Sequence, residues 1–268
     1  MKRIQIITGA SSGIGREFAL QMARNRKADE IWLVARRRDR LESLAAEIAL
    51  IDGAAKPLVV EIDISGKAGA TKLAKTLERE GQSGDLTIDA LINNAGFGTY
   101  GPFADTPLEK ELEMIDLNIT SLTALCHHAL PYLAGGSLVV NVASLAGFIP
   151  LGNFAVYAAS KAYVLSFSVA LAAELADRKI FVSTVCPGPV DTEFALVASS
   201  GAREKVVDGK SAEAVVRACL TDAQRGKRIS VMAWKWKFKA FMSRFVGRYW
   251  FARHTFVHEK RPSRSDGV

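Results

Sequence analysis

Cysteine is scarce in this chain: Cys126, Cys186 and Cys219 are the only three, far apart and without a CxxC pair. An odd, scattered set argues against a disulfide framework and fits a reducing, cytoplasmic setting. Apolar runs fall short of the roughly 18 residues needed to span a bilayer. Nothing resembles a secretory leader, because Met1-Lys2-Arg3 leads straight into IQIITGA, which reads as a strand. Histidine is sparse too. His127 and His128 share a helical segment with no cysteine or carboxylate at ligand spacing, so they read as packing or surface residues and no metal site is expected. Repeats, low-complexity tracts and interdomain linkers are absent.

Negative charge runs out toward the C-terminus. Residues 1–224 carry 23 Lys and Arg against 26 Asp and Glu, whereas residues 225–268 carry 12 against 2, a tail of net charge +10. Such a tail points to an anionic surface, unless it is simply solvated.

What is present is an ordinary globular composition, 49% hydrophobic and 24% charged over 268 residues, enough for one large α/β domain. Strand-like runs recur at 3–9, 30–36, 57–64, 88–96, 136–144, 180–188 and 229–232. Helical segments separate them at about 13–25, 40–52, 68–80, 107–133, 156–175 and 211–225. Short apolar runs alternating with helices imply βαβ units and a parallel sheet buried on both faces. The expected architecture is one doubly wound domain over 1–232 with a C-terminal extension over 233–268.

The first strand ends in TGASSGIG, so Gly9, Gly13 and Gly15 follow a strand and open a helix. There a phosphate can approach the backbone and meet the positive end of the helix. The spacing is GxxxGxG rather than GxGxxG, and a tight turn without a ligand is the alternative. The second strand ends in VARRRDR. Where an acidic residue would take a ribose 2′-hydroxyl, Arg36, Arg37 and Arg38 stand instead. A guanidinium suits a 2′-phosphate, which favours NADP over NAD. Three surface arginines are the competing reading.

Ser144 closes the fifth strand, at the end of a parallel sheet that faces a ligand crevice. Tyr157 and Lys161 lie one helical turn apart on one face. A nearby ammonium lowers the pKa of a phenol. Such a tyrosine can exchange a proton with a carbonyl or hydroxyl oxygen while hydride moves to carbon, with Ser144 holding that oxygen.

A Tyr-x-x-x-Lys alone is common, but the ordered set TGASSGIG, NNAG (93–96), Asn118, Ser144, YAASK (157–161) and PGPVDT (187–192) is not. Together these motifs resemble the short-chain dehydrogenase/reductase family over about residues 3–232. The resemblance implies a Rossmann-like fold with a seven-stranded parallel sheet and a tetrad of Asn118, Ser144, Tyr157 and Lys161. Tyr157 would be the acid/base. Lys161 would bind the nicotinamide ribose and lower the tyrosine pKa, Ser144 would position the substrate oxygen, and Asn118 would hold a water linking Lys161 to solvent. It further implies cofactor contacts at Gly9, Ser11, Ser12, Gly13, Ile14, Gly15, Arg36, Arg37, Asp63, Ile64, Asn93, Ala95, Gly96, Pro187, Gly188, Val190 and Thr192. Asn93 would line the adenosine side and brace the sheet. Ser12 stands where many NADP-preferring members carry a basic residue, so that preference rests on Arg36 and Arg37.

The substrate wall is expected from Leu145, Phe148, Ile149 and Phe194, within 97–100, 145–154 and 189–210. No arginine or lysine is evidently placed to hold a substrate carboxylate. The expected substrate is therefore an apolar ketone, aldehyde or alcohol. A non-catalytic, NADP-responsive scaffold is the alternative from another class, and a sugar-nucleotide epimerase or dehydratase the competing enzyme. The apolar helix over 156–175 is expected to pack on the sheet with one face and on a partner subunit with the other, giving a homodimer or homotetramer.

In the tail, Trp234, Phe238, Phe241, Phe245, Tyr249 and Ala252 share one helical face with basic residues beside it. That describes a peripheral membrane helix over 234–253 or, equally, a lid or dimer arm. No nucleic-acid motif accompanies the charge, so nucleic acid is not expected as a partner. The final EKRPSRSDGV reads as disordered.

Overall fold

The computed structural model describes residues 1–24, 28–82, 85–203 and 208–261. Seven strands form one sheet: β1 (Lys2–Thr8), β2 (Glu30–Ala35), β3 (Lys56–Glu61), β4 (Leu86–Asn93), β5 (Leu133–Val142), β6 (Phe181–Val185) and β9 (Ile229–Ser230). Their order is β3-β2-β1-β4-β5-β6-β9 and every pairing is parallel. The chain winds outward from β1 to β3, then returns to β1 and winds the other way from β4. The order thus reverses between β1 and β4, where strand ends open a crevice.

Both faces of the sheet are covered, as near-continuous Ile, Val and Leu runs require. Successive side chains point to opposite faces. Ile4 and Ile6 join a core with Leu73 and Leu77 of α3 (Gly66–Gly81), Leu125 of α5 (Leu122–Ala129) and Val164 of α6 (Ala155–Glu174). Ile7 joins the opposite core with Phe18 of α1 (Gly13–Ala23), Leu41 and Leu44 of α2 (Arg38–Ala49) and Val216 of α8 (Ala212–Gln224).

Three elements differ from the sequence expectation. The long helix expected over 107–133 is α4 (Leu108–Ile115), a π-helical turn (Asp116–Ser121) and α5, closed by a 3-10 turn. The wider turn carries Asn118, and such insertions recur at functional sites. Helix α6, in contrast to the expectation that no segment is apolar enough, has the length and composition to cross a membrane. Its Val164, Leu171 and Ala172 are instead committed to the core against the sheet. The tail is two helices, α9 (Trp234–Met242) and α10 (Arg248–His258), so no single stripe runs through it. The break falls at 243–247, where Gly247 is the N-cap of α10.

Two short strands, β7 (Val190–Asp191) and β8 (Lys210–Ser211), pair beside the crevice. Helix α7 (Phe194–Ala198) follows β7.

Candidate active site

The crevice is a cleft of ≈ 900 Å³ running from the glycine turn to the N-terminus of α6 and on to the C-terminal segment. Gly9 and Gly13 adopt φ values of +65° and +53°, conformations that side chains disfavour. A Cβ on Gly15 would lie 2.2 Å from the Gly9 carbonyl oxygen, so only glycine lets the helix start this close to the strand. Gly15 therefore packs behind the turn rather than lining the cleft. Ser11, Ser12, Gly13 and Ile14 do line it, with Asp63, Ile64, Ala95, Gly96, Pro187, Gly188, Val190 and Thr192 farther along. Thr192 leans onto the turn: a Cβ on Gly13 would be 3.0 Å from its methyl group.

Of the two roles expected of Asn93, the structure places it as the sheet brace and not on the cleft, which Asn94 lines instead. Asn93 is buried and donates to Asn141 Oδ1 at 2.9 Å, bracing β4 to β5 away from the cleft. Strand alternation turns the next residue toward the crevice. Asn94 lines it and its Nδ2 donates to the Thr8 and Gly9 carbonyls at 3.0 and 3.2 Å.

At the adenosine end Arg36 is 74% exposed and 3.8 Å from Asp63. Arg37 is tied down. Its Nη2 donates to Ser11 Oγ at 2.9 Å and Ser12 Oγ at 2.8 Å, and its Nη1 to Glu193 Oε2 at 2.9 Å. Arg40 grips the other oxygen of Glu193. Arg40 and Arg37 together hold the Glu193 carboxyl below the usual carboxylate range. Ser12 thus accepts from Arg37, the N-cap residue of α2.

At the other end Ser144, Tyr157 and Lys161 converge on the cleft. Lys161 Nζ lies 5.7 Å from the Tyr157 ring centre and donates to the Val142 carbonyl at 2.8 Å. Burial pulls the ammonium down to about 8. The phenol differs from expectation: burial pushes its pKa up, although the hydrogen bond with Ser144 and the charge of Arg261 pull the other way. Asn118 is buried in the π-helical turn and does not line the cleft. Its Nδ2 donates to the Phe97 carbonyl at 2.9 Å and Ser160 Oγ at 3.0 Å, and its Oδ1 accepts from Phe97 N at 3.1 Å. Both ends of the amide thus hold protein groups here, which makes Asn118 a brace for the 96–97 segment.

Beyond Tyr157, Leu145, Phe148, Ile149 and Phe194 all line the cleft. Phe154 stacks on Tyr157 with ring centres 4.1 Å apart, and Tyr100 meets Phe154 edge-on at 4.9 Å. The expectation of no cation here is overturned. Arg261 reaches in from the C-terminal segment, its guanidinium 4.7 Å from the Phe154 ring centre and 3.6 Å from Glu259. Its Nη1 is buried without a hydrogen-bond partner. Arg203 and Lys239 also line the cleft. Residues 204–207 of the expected wall lie outside the described residues.

A tail expected to be loose past residue 258 is thus anchored up to Arg261, and 262–268 lie outside the described residues. Asn153 does the anchoring. Its Nδ2 donates to the carbonyls of Thr255, Phe256 and Glu259 at 3.3, 3.0 and 3.3 Å, satisfying the C-terminal end of α10. Thr255 Oγ1 accepts from Gly152 N at 2.8 Å.

Comparison with known proteins bears on the same region. The short chain dehydrogenase family model matches residues 3–202. The chain belongs to the short-chain dehydrogenase/reductase family. Its fold is the Rossmann-like one of that family. Among relatives, it is 34% identical over 210 residues to the probable oxidoreductase EphD of Mycobacterium tuberculosis, covering 76% of this chain but only 34% of that protein. It is 35% identical to a serine 3-dehydrogenase of Rhizobium radiobacter, covering 74% of this chain and 76% of that protein. A short-chain dehydrogenase from Sphingobium yanoikuyae in complex with NADPH superposes with a TM-score of 0.78 at 30% identity, covering 91% of this chain and 93% of that one. A bulky-bulky ketone specific alcohol dehydrogenase from Comamonas testosteroni gives 0.73 at 25%, covering 91% and 92%.

The residues of this short-chain dehydrogenase/reductase that sequence reasoning missed are Asn94, Arg40, Glu193, Asn153 and Arg261. Strand alternation through β4 was a usable signal for Asn94. Helical spacing from Arg37 could have raised Arg40. Nothing local marks Asn153 or Arg261, because each acts across a separation of about a hundred residues.

Proposed function

We propose that the chain is an NADP(H)-dependent oxidoreductase that interconverts an apolar carbonyl compound bearing an anionic group and its alcohol. The observation that carries the reading is the convergence of Tyr157, Ser144 and Lys161 on one cleft with the glycine turn and its arginine cluster. The cradle fits a dinucleotide: the turn is open where a Cβ would intrude, and the cleft is continuous from Arg37 to Tyr157. Gly9, Ser11, Gly13 and Ile14 would hold the pyrophosphate, Asp63 and Ile64 the adenine, Arg36, Arg37 and Arg40 a 2′-phosphate, and Lys161 the nicotinamide ribose. When bound, the nicotinamide supplies or accepts the hydride.

The chain's own groups handle the oxygen and its proton. Ser144 Oγ would orient the substrate oxygen beside Tyr157 Oη. In reduction Tyr157 gives its proton to the oxygen as hydride reaches the carbon, and in oxidation it takes the proton back. Burial alone raises the phenol pKa and so opposes release of that proton. The Lys161 cation then stabilises the phenolate left behind. Phe97, Asn118 and Ser160 fix the floor beneath that pair. The apolar wall admits a bulky carbonyl, and the S. yanoikuyae NADPH complex and the C. testosteroni ketone-specific enzyme support cofactor and substrate type by likeness. Arg261, cationic and short of a hydrogen-bond acceptor, supplies the anion's counter-charge. Assembly through the outer faces of α4 and α6, where Leu112, Tyr163 and Val169 are exposed, is part of the same proposal.

The test is a panel of neutral and carboxylate-bearing ketones, aldehydes and alcohols followed by NADPH absorbance. Tyr157→Phe is expected to lower turnover by about 10³-fold while NADPH affinity stays within about threefold. A mutant that still reduced the substrate at the wild-type rate would remove Tyr157 as proton donor. A silent panel with intact NADPH binding would favour the scaffold reading.

A further inference from the structure

The tail has two faces with opposite fates. Its inner face is committed: Trp236 packs on Gly188, where a Cβ would lie 2.8 Å from the indole, and Phe256 packs as tightly on Gly152. Trp236 and Ala240 line the cleft. The outer face is not committed. Trp234, Phe238 and Phe241 on α9, Phe245 in the break, and Tyr249 and Trp250 on α10 are between 51% and 82% exposed. Scattered apolar residues on a surface are ordinary, but six exposed aromatics between 234 and 250, with Trp234–Phe238 and Phe241–Phe245 in ring contact, mark an interaction site.

The charges around this patch decide its partner. Among the described residues, Lys235, Arg244 and Arg248 form no salt bridge or side-chain hydrogen bond, whereas Lys239 lines the cleft, Lys237 lies near Asp222 and Arg253 stands over the Phe256 ring. All six belong to a segment, residues 225–268, of net charge +10. Pairing two copies through this face would set like charges against like, which disfavours a second copy as the occupant. Aromatic side chains with a wet edge, ringed by long cationic side chains, match the headgroup region of an anionic bilayer.

We propose that the outer face of α9 and α10 docks this enzyme onto an anionic lipid surface. Rings of Trp234, Phe241 and Trp250 enter the interface and the lysines and arginines meet the lipid phosphates and carboxylates. Because α9 walls the cleft with its other face, docking sets the cleft beside the lipid. The proposal stands on the surface alone and holds whether or not the cofactor and substrate assignments do.

Flotation of the full chain with phosphatidylcholine vesicles, with and without about three parts in ten phosphatidylserine, tests it. Binding is expected only to the anionic vesicles and to weaken with salt. Lys235→Gln/Arg244→Gln/Arg248→Gln should weaken it by roughly a hundredfold, about fivefold for each cation removed. Phe241→Ser/Tyr249→Ser/Trp250→Ser should weaken it by at least about tenfold. Circular dichroism and NADPH titration show whether either variant is folded. Quenching of wild-type tryptophan fluorescence by brominated lipid needs no variant and should be observed. No flotation and no quenching would overturn the proposal. So would binding to a DNA duplex in place of vesicles, or an oligomer that falls apart when the aromatics are changed while vesicle binding is absent.

Discussion

At the scale of single residues, Lys161 is a buried cation and Arg261 a partly buried one, with different obligations. Lys161 has an ordinary pKa of 10.5 and is pulled to about 8 by burial. Between those values the unfolded chain binds more protons than the folded one, so this residue makes stability rise with pH. Its cost is fully present below pH 8 and is relieved as the pH approaches 10.5. Lys161→Met abolishes the effect. The stability difference between wild type and variant should therefore shift in favour of wild type from pH 8 to about 10, read from urea midpoints. A difference that stays flat across that range would contradict the burial account.

Arg261 should matter according to what the substrate carries. A hydrogen bond to a charged group contributes about 1.5–3 kcal/mol. Arg261→Ala should therefore lower kcat/KM for a carboxylate-bearing substrate by roughly ten- to a hundredfold, mostly through KM, and leave a neutral analogue within about threefold. Equal losses on both substrates would assign Arg261 to packing on Phe154 instead. The residues that carried the family resemblance are local motifs, readable because glycines and a helical i,i+4 spacing express their geometry in a few positions. Arg261 and Asn153 have no local expression. Their roles exist only once α10 has docked beside the 152–154 segment.

At the scale of elements, the legible features were those set by periodicity. The strands of the parallel sheet emerged from apolar runs, and helix boundaries fell within a few residues. The π-helical turn at Asp116–Ser121 was not legible, since one extra residue in a helical turn leaves the apolar pattern nearly unchanged. Nor was the break between α9 and α10. Aromatics placed on a wheel assume one axis, and the chain turns at 243–247 so that the inner residues can reach Gly188 and Gly152. That docking is testable at one atom. A Cβ on Gly152 would lie 2.5 Å from the Phe256 Cβ and 2.7 Å from the Ala252 carbonyl oxygen. Gly152→Ala should thus unseat α10, expose its arginines to trypsin at least about tenfold faster, and raise KM as Arg261 withdraws. NADPH affinity should be nearly unchanged, because the glycine turn lies elsewhere. Cleavage no faster than in wild type would show that α10 is held by other contacts.

At the scale of the whole molecule, the cofactor end is assembled from segments far apart in the chain: the turn after β1, the end of β2 and the approach to α7. Its central ion cluster, Arg37 and Arg40 on Glu193, exists only in the folded chain. A dinucleotide bound there stabilises the native state alone, by about 2.7 kcal/mol at a hundred times its dissociation constant. For a chain of this size that corresponds to a rise in Tm of roughly 5–10 °C. Glu193 already occupies the two guanidiniums that a 2′-phosphate would use, so the carboxylate and the phosphate compete. NADPH should raise Tm more than NADH at equal concentration. Glu193→Gln should widen that gap by removing the competitor's charge while leaving the NADH shift as it was. Equal shifts from the two cofactors in wild type would overturn the NADP preference. An unchanged gap in Glu193→Gln would place the 2′-phosphate on Arg36, the exposed arginine that Glu193 does not touch.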